Sequence, residues 1–119
     1  MKIHKSAEDY LEMILMLTEQ KGYARSIDIA AGLSVSKPSV SYAMKQLREN
    51  GYITMDKDNF IHLTESGGEI ARRIYARHRV LTRFFLQIGV DEATAREDAC
   101  KIEHDISDAT FEAITKYVK

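Results

Sequence analysis

Cys100-Lys101-Ile102-Glu103-His104 sets a thiol, a carboxylate and an imidazole at positions i, i+3 and i+4. On a helix those side chains project from one side, which makes a half-site for a divalent metal. Asp9 and Glu12 are likewise three apart on an earlier helical stretch, away from Tyr10 and Leu11 or at the edge of their stripe. His78 falls between Ile74 and Leu81 on an apolar stripe. A transition metal drawing on mixed nitrogen, oxygen and sulfur donors could join these three helices. Each residue also has a plainer role. Asp9 can complete a capping box with Ser6, Glu12 can be a solvated surface residue, and His78 can be a core histidine bonded to a carbonyl. Cys100 alone behaves as a small buried hydrophobe. The spacing is less specific than a zinc-finger pattern.

A second group of residues points to nucleic acid. Residues 36–50 read as a helix whose apolar stripe is Val40, Met44 and Leu47. Ser36, Lys37, Ser39, Ser41, Tyr42, Lys45 and Arg48 lie on the other side, with Pro38 in the first turn. Hydroxyls and tyrosine can bond phosphates or base edges, and the cations neutralise phosphates. This face has no acid before Glu49. Arg25 adds a cation at the start of the preceding helix. A winged helix that binds protein is the alternative for such a face.

These residues need positioning elements. A helix opening near Ser6 carries Ala7, Tyr10, Leu11, Ile14 and Leu17 inward and stops at Lys21-Gly22. A second opens at Arg25-Ser26 with Ile27, Ile29, Ala30 and Leu33 inward, and Gly32 marks its end. Ser34-Val35 is a short turn, and Ser36 caps the third helix. Two strand-like runs, 52–55 and 60–63, flank the polar turn 56–59 and predict a hairpin. Thr64 caps a long helix with Ile70, Ile74, His78, Leu81, Phe85 and Ile88 inward, stopped by Gly89. Asp91 caps a helix with Ala95, Ala99, Ile102 and Ile106 inward. Ser107 caps a last one carrying Phe111, Ile114 and Val118. The predicted order is α-α-α-β-β-α-α-α. The fold class is mostly α, a winged helix-turn-helix over 1–65 followed by a helical metal-binding and dimerisation module over 66–119. In the first, the second helix of the pair enters the DNA major groove.

The bulk properties agree. A chain of 119 residues with 45% apolar and 29% charged residues suits one compact unit or a small domain with an appended module. The net charge is −1, but residues 21–50 carry Lys21, Arg25, Lys37, Lys45 and Arg48 against Asp28 and Glu49, a local +3. One cysteine excludes an internal disulfide. With no apolar run near 18 residues and no signal-peptide core, no membrane partner and a cytoplasmic location are expected. No His-Glu-x-x-His motif or independent nucleophile stands out, so neither an enzyme nor a small organic substrate is expected.

The two constellations occur together and in order. The sequence resembles the diphtheria-toxin-repressor and manganese-transport-regulator family of metal-dependent repressors. The resemblance is carried by Glu8-Asp9-Tyr10-Leu11-Glu12, Lys21-Gly22-Tyr23-Ala24-Arg25 with Asp28-Ile29-Ala30, and Val35 through Ser41. It continues in Leu63-Thr64-x-x-Gly67, Arg77-His78, Ile88-Gly89-Val90 and Cys100-x-x-Glu103-His104-x-Ile106-Ser107.

The resemblance implies a homodimer that binds an inverted-repeat operator in double-stranded DNA when iron(II) or manganese(II) is bound, and so shuts off metal-uptake genes. It implies that Cys100, Glu103 and His104 belong to the metal site coupled to the first helix. Asp9, Glu12 and His78 match ligands of the manganese branch, and His78 also matches an ancillary-site histidine of the iron branch. Cys100 is the iron-branch residue where the manganese branch has glutamate, so the site is a hybrid. Thr82 and Arg96 replace further ancillary ligands, which leaves that second site incomplete. No SH3-like domain and a shorter dimer interface are expected. A thiolate favours iron over manganese, so one principal iron(II)-preferring site per subunit is expected. The competing expectation is a metal-independent winged-helix regulator with a structural Cys100-Glu103-His104 cluster.

Overall fold

The computed structural model describes residues 4–119. The chain divides into two compact units, Met1–Arg72 and Arg73–Lys119. The first contains α1 (Lys5–Lys21), α2 (Ser26–Leu33), α3 (Lys37–Glu49), β1 (Ile53–Met55) and β2 (Ile61–Leu63). Helix α4 (Glu65–Gln87) begins in the first unit and ends in the second, which also holds α5 (Glu92–Ile102) and α6 (Asp108–Tyr117). The mostly helical fold with a small two-stranded wing follows the order expected.

The core of the first unit is built by helical periodicity. Ala7, Leu11, Ile14 and Leu17 of α1 meet Ile29 and Ala30 of α2 and Val40, Met44 and Leu47 of α3. Ile53 and Ile61 of the hairpin close it. At roughly 25 cal/mol per Å2 of apolar surface removed from water, each such aliphatic side chain contributes about 1.5–3 kcal/mol before entropy is charged against it. The helix-turn-helix bend is made by Ser34, left-handed at φ 55°, whose N–H meets the carbonyls of Ala30 and Ala31. Ser36 then caps α3 by accepting from Ser39 N at 3.2 Å, with Pro38 in the first turn, where a missing N–H is harmless. In the wing, β1 and β2 pair antiparallel with Ile53 opposite Leu63, and Ile61 N donates to Ala24 O at 2.8 Å. At the wing's exit Gly67 is required, because a Cβ there would come within 2.0 Å of Tyr52 O.

Several sequence expectations are corrected. Helix α1 starts at Lys5, capped by the extended backbone of His4 with no side-chain bond. Ser6 is already helical, so the Ser6–Asp9 capping box does not form, and Asp9 instead pairs with Lys5 at 3.3 Å. Helix α2 runs past Gly32 to Leu33 because Ser34 takes the left-handed cap. Gly32 serves packing, since a Cβ there would lie 2.8 Å from Met13 Sδ. Ile27 is 58% exposed: with Ile29 inward, a residue two earlier must point away.

In the second unit Asp91 caps α5 by accepting from Thr94 N at 3.1 Å, and Ser107 caps α6 by accepting from Thr110 N at 3.2 Å. The stripe of α4 buries Ile74, Arg77 and Leu81, with Ala95 and Ala99 of α5 also buried. Ile88 lies beyond the end of α4 and is exposed, as is Ile102, both against expectation. Helix α6 has no buried residue. Three short helical segments enclose too little volume to cover all their apolar side chains.

Candidate metal centre and DNA-binding face

The turn after α5 carries the chemistry. Glu103 is the C-cap of α5, still right-handed at φ −59° and ψ −25°, with its N–H on Ala99 O. His104 follows in the turn rather than in the helix. The helical presentation inferred from i, i+3, i+4 spacing thus holds through Glu103 and ends there. From α4, His78 Nδ1 lies 2.9 Å from Glu103 Oε2 and 3.7 Å from Cys100 Sγ. One donor atom from each of His78, Cys100 and Glu103 falls within 4.8 Å of the others. Glu103 is fully buried, His78 partly buried and Cys100 exposed. His104 Nε2 approaches the other carboxylate oxygen, Oε1, to 3.3 Å.

The electrostatics centre on His78. Its hydrogen bond to Cys100, and next its bond to Glu103, lift the imidazole pKa to about 10, against the opposing effect of burial. At neutral pH the ring therefore carries a proton between a sulfur and a carboxylate. A cation in the same place would take over the role of that proton.

The donors fit a divalent transition metal. Bonds of roughly 2.0–2.3 Å to nitrogen, oxygen and sulfur put neighbouring ligand atoms about 3–4 Å apart, the range already spanned here. Glu103 Oε1 is buried and takes no hydrogen bond among the described residues, with His104 Nε2 beside it at 3.3 Å; a cation would offset the cost of burying that oxygen. Asp9 and Glu12, expected as further ligands, lie on α1 of the first unit; Glu12 is buried and Asp9 half-buried. Arg77, named in the sequence only as part of the resemblance and given no role there, is 4% exposed. Its signal was a cation three residues after Ile74 and four before Leu81, on the same stripe.

On the first unit, α3 presents Ser36, Lys37, Pro38, Ser39, Ser41, Tyr42, Lys45 and Arg48 all exposed, opposite Val40, Met44 and Leu47. Tyr42 is 68% exposed, which a core tyrosine would not be. Arg25 is not on this helix. It is the N-cap of α2, exposed, and stacks over the Phe60 ring of the wing at 4.4 Å.

A winged helix-turn-helix followed by a helical unit with a thiol, imidazole and carboxylate cluster defines a metal-dependent DNA-binding regulator. Residues 2–60 match the family model of the iron dependent repressor N-terminal DNA binding domain. Residues 64–119 match that of the iron dependent repressor metal binding and dimerisation domain. The HTH-type transcriptional regulator MntR of Bacillus pumilus is 42% identical over 102 residues, 86% of this chain and 71% of that one. Among solved structures, T. acidophilum IdeR is similar at a TM-score of 0.82 and 28% identity, over 98% of this chain and 55% of that one. The manganese regulator SloR is similar at a TM-score of 0.82 and 31% identity, over 98% and 54%. The chain thus spans about half the length of those two solved relatives. It belongs to the iron-dependent repressor family, the diphtheria-toxin-repressor and manganese-transport-regulator group. The family consists of metal-dependent transcriptional regulators, not enzymes. Among the described residues no helix is long and apolar enough to cross a membrane.

Proposed function

We propose that this chain is a homodimeric repressor that binds an inverted-repeat operator when loaded with a divalent metal and silences metal-uptake genes. The observation that carries the reading is the His78–Cys100–Glu103 donor set in a chain whose other half is a DNA-binding domain. His78, Cys100 and Glu103 would hold the metal, joined by His104 from the same turn. Asp9 and Glu12, three apart on α1, enter as further ligands from that spacing and from the resemblance. A bound cation supplies the positive charge that Glu103 otherwise receives from His78. The ligands then have one fixed arrangement, so part of the ordering cost is met before DNA arrives.

The second copy is read onto the apolar face left open in the second unit. Phe84, Ala109, Ala113, Ile114 and Tyr117 line a shallow groove of about 420 Å3, and Ile88 and Tyr117 are 62% and 76% exposed. Two-fold pairing sets two α3 helices about one DNA turn apart. Lys37, Lys45 and Arg48 serve phosphates, as does Arg25 from α2, and the α3 hydroxyls with Tyr42 serve phosphates or base edges.

The Cys100 thiolate favours iron(II) over manganese(II), whereas the names of MntR and SloR favour manganese. Anaerobic fluorescence anisotropy on DNA from upstream of the protein's own gene decides, with chelator, iron(II) and manganese(II) compared. Tight binding only with metal is expected, at a lower free concentration of iron(II). Activation at lower free manganese(II) reverses the preference. Equal binding in all three conditions leaves a metal-independent regulator with a structural Cys100-Glu103-His104 cluster.

A further inference from the structure

Arg77 precedes His78 on α4 and interrupts an apolar stripe, yet it is buried. A buried guanidinium is destabilising unless its donors are matched. Here main-chain oxygens do most of the matching. Nη1 donates to Glu103 O at 3.2 Å and to Ile106 O at 2.7 Å, and Nη2 donates to the Asp108 carboxylate. The guanidinium also sits over the Phe111 ring, 5.3 Å from its centroid.

All the hydrogen-bond partners lie on the connection between α5 and α6 or at its ends. Carbonyls past a helix terminus have lost their helical donors, and Glu103 is the C-cap of α5. Asp108 is the first residue of α6. The planar fork of arginine serves several acceptors at once, which a lysine ammonium on a flexible stem does less well. The result is specific to Glu103. Its carboxylate bonds His78 and its carbonyl bonds Arg77, so two consecutive residues of α4 hold both ends of one residue.

We propose that Arg77 is a positioning residue of the metal centre. It clamps residues 103–106 so that the Glu103 carboxylate and the His104 imidazole are presented from a fixed backbone beside His78, with Asp108 orienting the guanidinium. The inference rests on the metal reading above and adds a supporting residue to it. Asp108 is 82% exposed in its side chain, so its share of the clamp is smaller than that of the two carbonyl bonds.

The test is anaerobic cobalt(II) titration of wild type, Arg77→Lys and Asp108→Asn, following thiolate-to-cobalt charge transfer and the ligand-field bands. Thermal melts of the metal-free proteins run beside it. Arg77→Lys is expected to weaken cobalt(II) binding about 10–100-fold, the usual cost of losing an outer-shell partner. Its ligand-field bands shift while a cooperative melt is retained. Asp108→Asn, which keeps both carbonyl bonds, loses less. A folded Arg77→Lys with wild-type affinity and spectrum overturns the proposal. If Arg77→Lys does not fold, Asp108→Asn decides: an unchanged affinity and spectrum overturn it. Wild-type protein that takes up no cobalt overturns the metal reading itself, and this inference with it.

Discussion

Each unit exposes four large apolar side chains, Tyr23, Ile27, Val35 and Tyr42 in the first and Leu86, Ile88, Ile102 and Tyr117 in the second, but only the first also closes a large aliphatic core. Leu11, Ile14, Ile29, Val40, Leu47, Ile53 and Ile61 are all at 1% exposure or less. In the second unit Ile74 and Leu81 reach that state, but α6 buries nothing and Leu86, Ile88, Ile102 and Tyr117 are exposed. Both units have amphipathic helices. They differ in what surrounds them: three helices and a hairpin can close on a core, whereas α5, α6 and part of α4 need another surface. Buried charge does not separate the units, since Glu8 and Glu12 are buried in the first as Arg77 and Glu103 are in the second. The first unit closes on a core of its own. The second reads as a module completed by a ligand and a second copy.

The sharpest break of that contrast is at Glu103. Glu103→Ala should reduce metal-activated DNA binding by about 100-fold or more, the upper end of what even outer-shell losses cost, while the first unit stays folded. Anisotropy with and without metal measures it, and retained metal activation would exclude Glu103 as a ligand. Next comes a matched pair of truncations. Leu47→Ala should cost about 2–5 kcal/mol in urea denaturation, as for a fully buried leucine. Ile114→Ala should cost less than that in dilute protein, and its cost should grow with protein concentration as dimers form. Equal, concentration-independent losses would erase the distinction between the units.

A smaller effect belongs to the DNA face. Lys37→Ala in both copies of a dimer removes two phosphate contacts, so the slope of log affinity against log salt should flatten by about 1.8, at roughly 0.9 per contact. An unchanged slope would move the DNA face elsewhere. A last test is the pH dependence of the metal-free protein. The folded-state pKa of His78 is raised from 6.5 to about 10 by Cys100 and Glu103. A raised pKa stabilises the fold fully below pH 6.5, and that contribution is lost as pH rises through about 10. In chelator, the stability advantage of wild type over His78→Gln should shrink from pH 6 to pH 10. A constant gap would mean that the imidazolium does not contribute.

Much of this was legible because it is local. Ser36, Asp91 and Ser107 each accept from the N–H three residues on, and such caps depend on neighbours within one turn. The stripe Val40, Met44, Leu47 and the hydroxyl-rich face opposite it follow from helical period alone. The Cys100–Glu103 spacing holds because α5 keeps right-handed geometry through its cap. What escaped was not local. The start of α1 moved because backbone at His4 sufficed as a cap, and the Ser6–Asp9 box was not needed. Ile88 and Ile102 were expected inside because apolarity marks a preference, whereas burial also requires a neighbour to supply the surface.

The sequence by itself determined the element order, the caps, the recognition-helix face and the half-site of Cys100 and Glu103, since each is set within a turn or two of helix. Only the tertiary structure decided that His78 meets both of them from α4, and that Arg77 is drawn inside to bind the carbonyls of Glu103 and Ile106. Those contacts join residues more than 20 positions apart, and no local period encodes them. They arise when the second unit packs and its buried charges and unpartnered carbonyls must find each other.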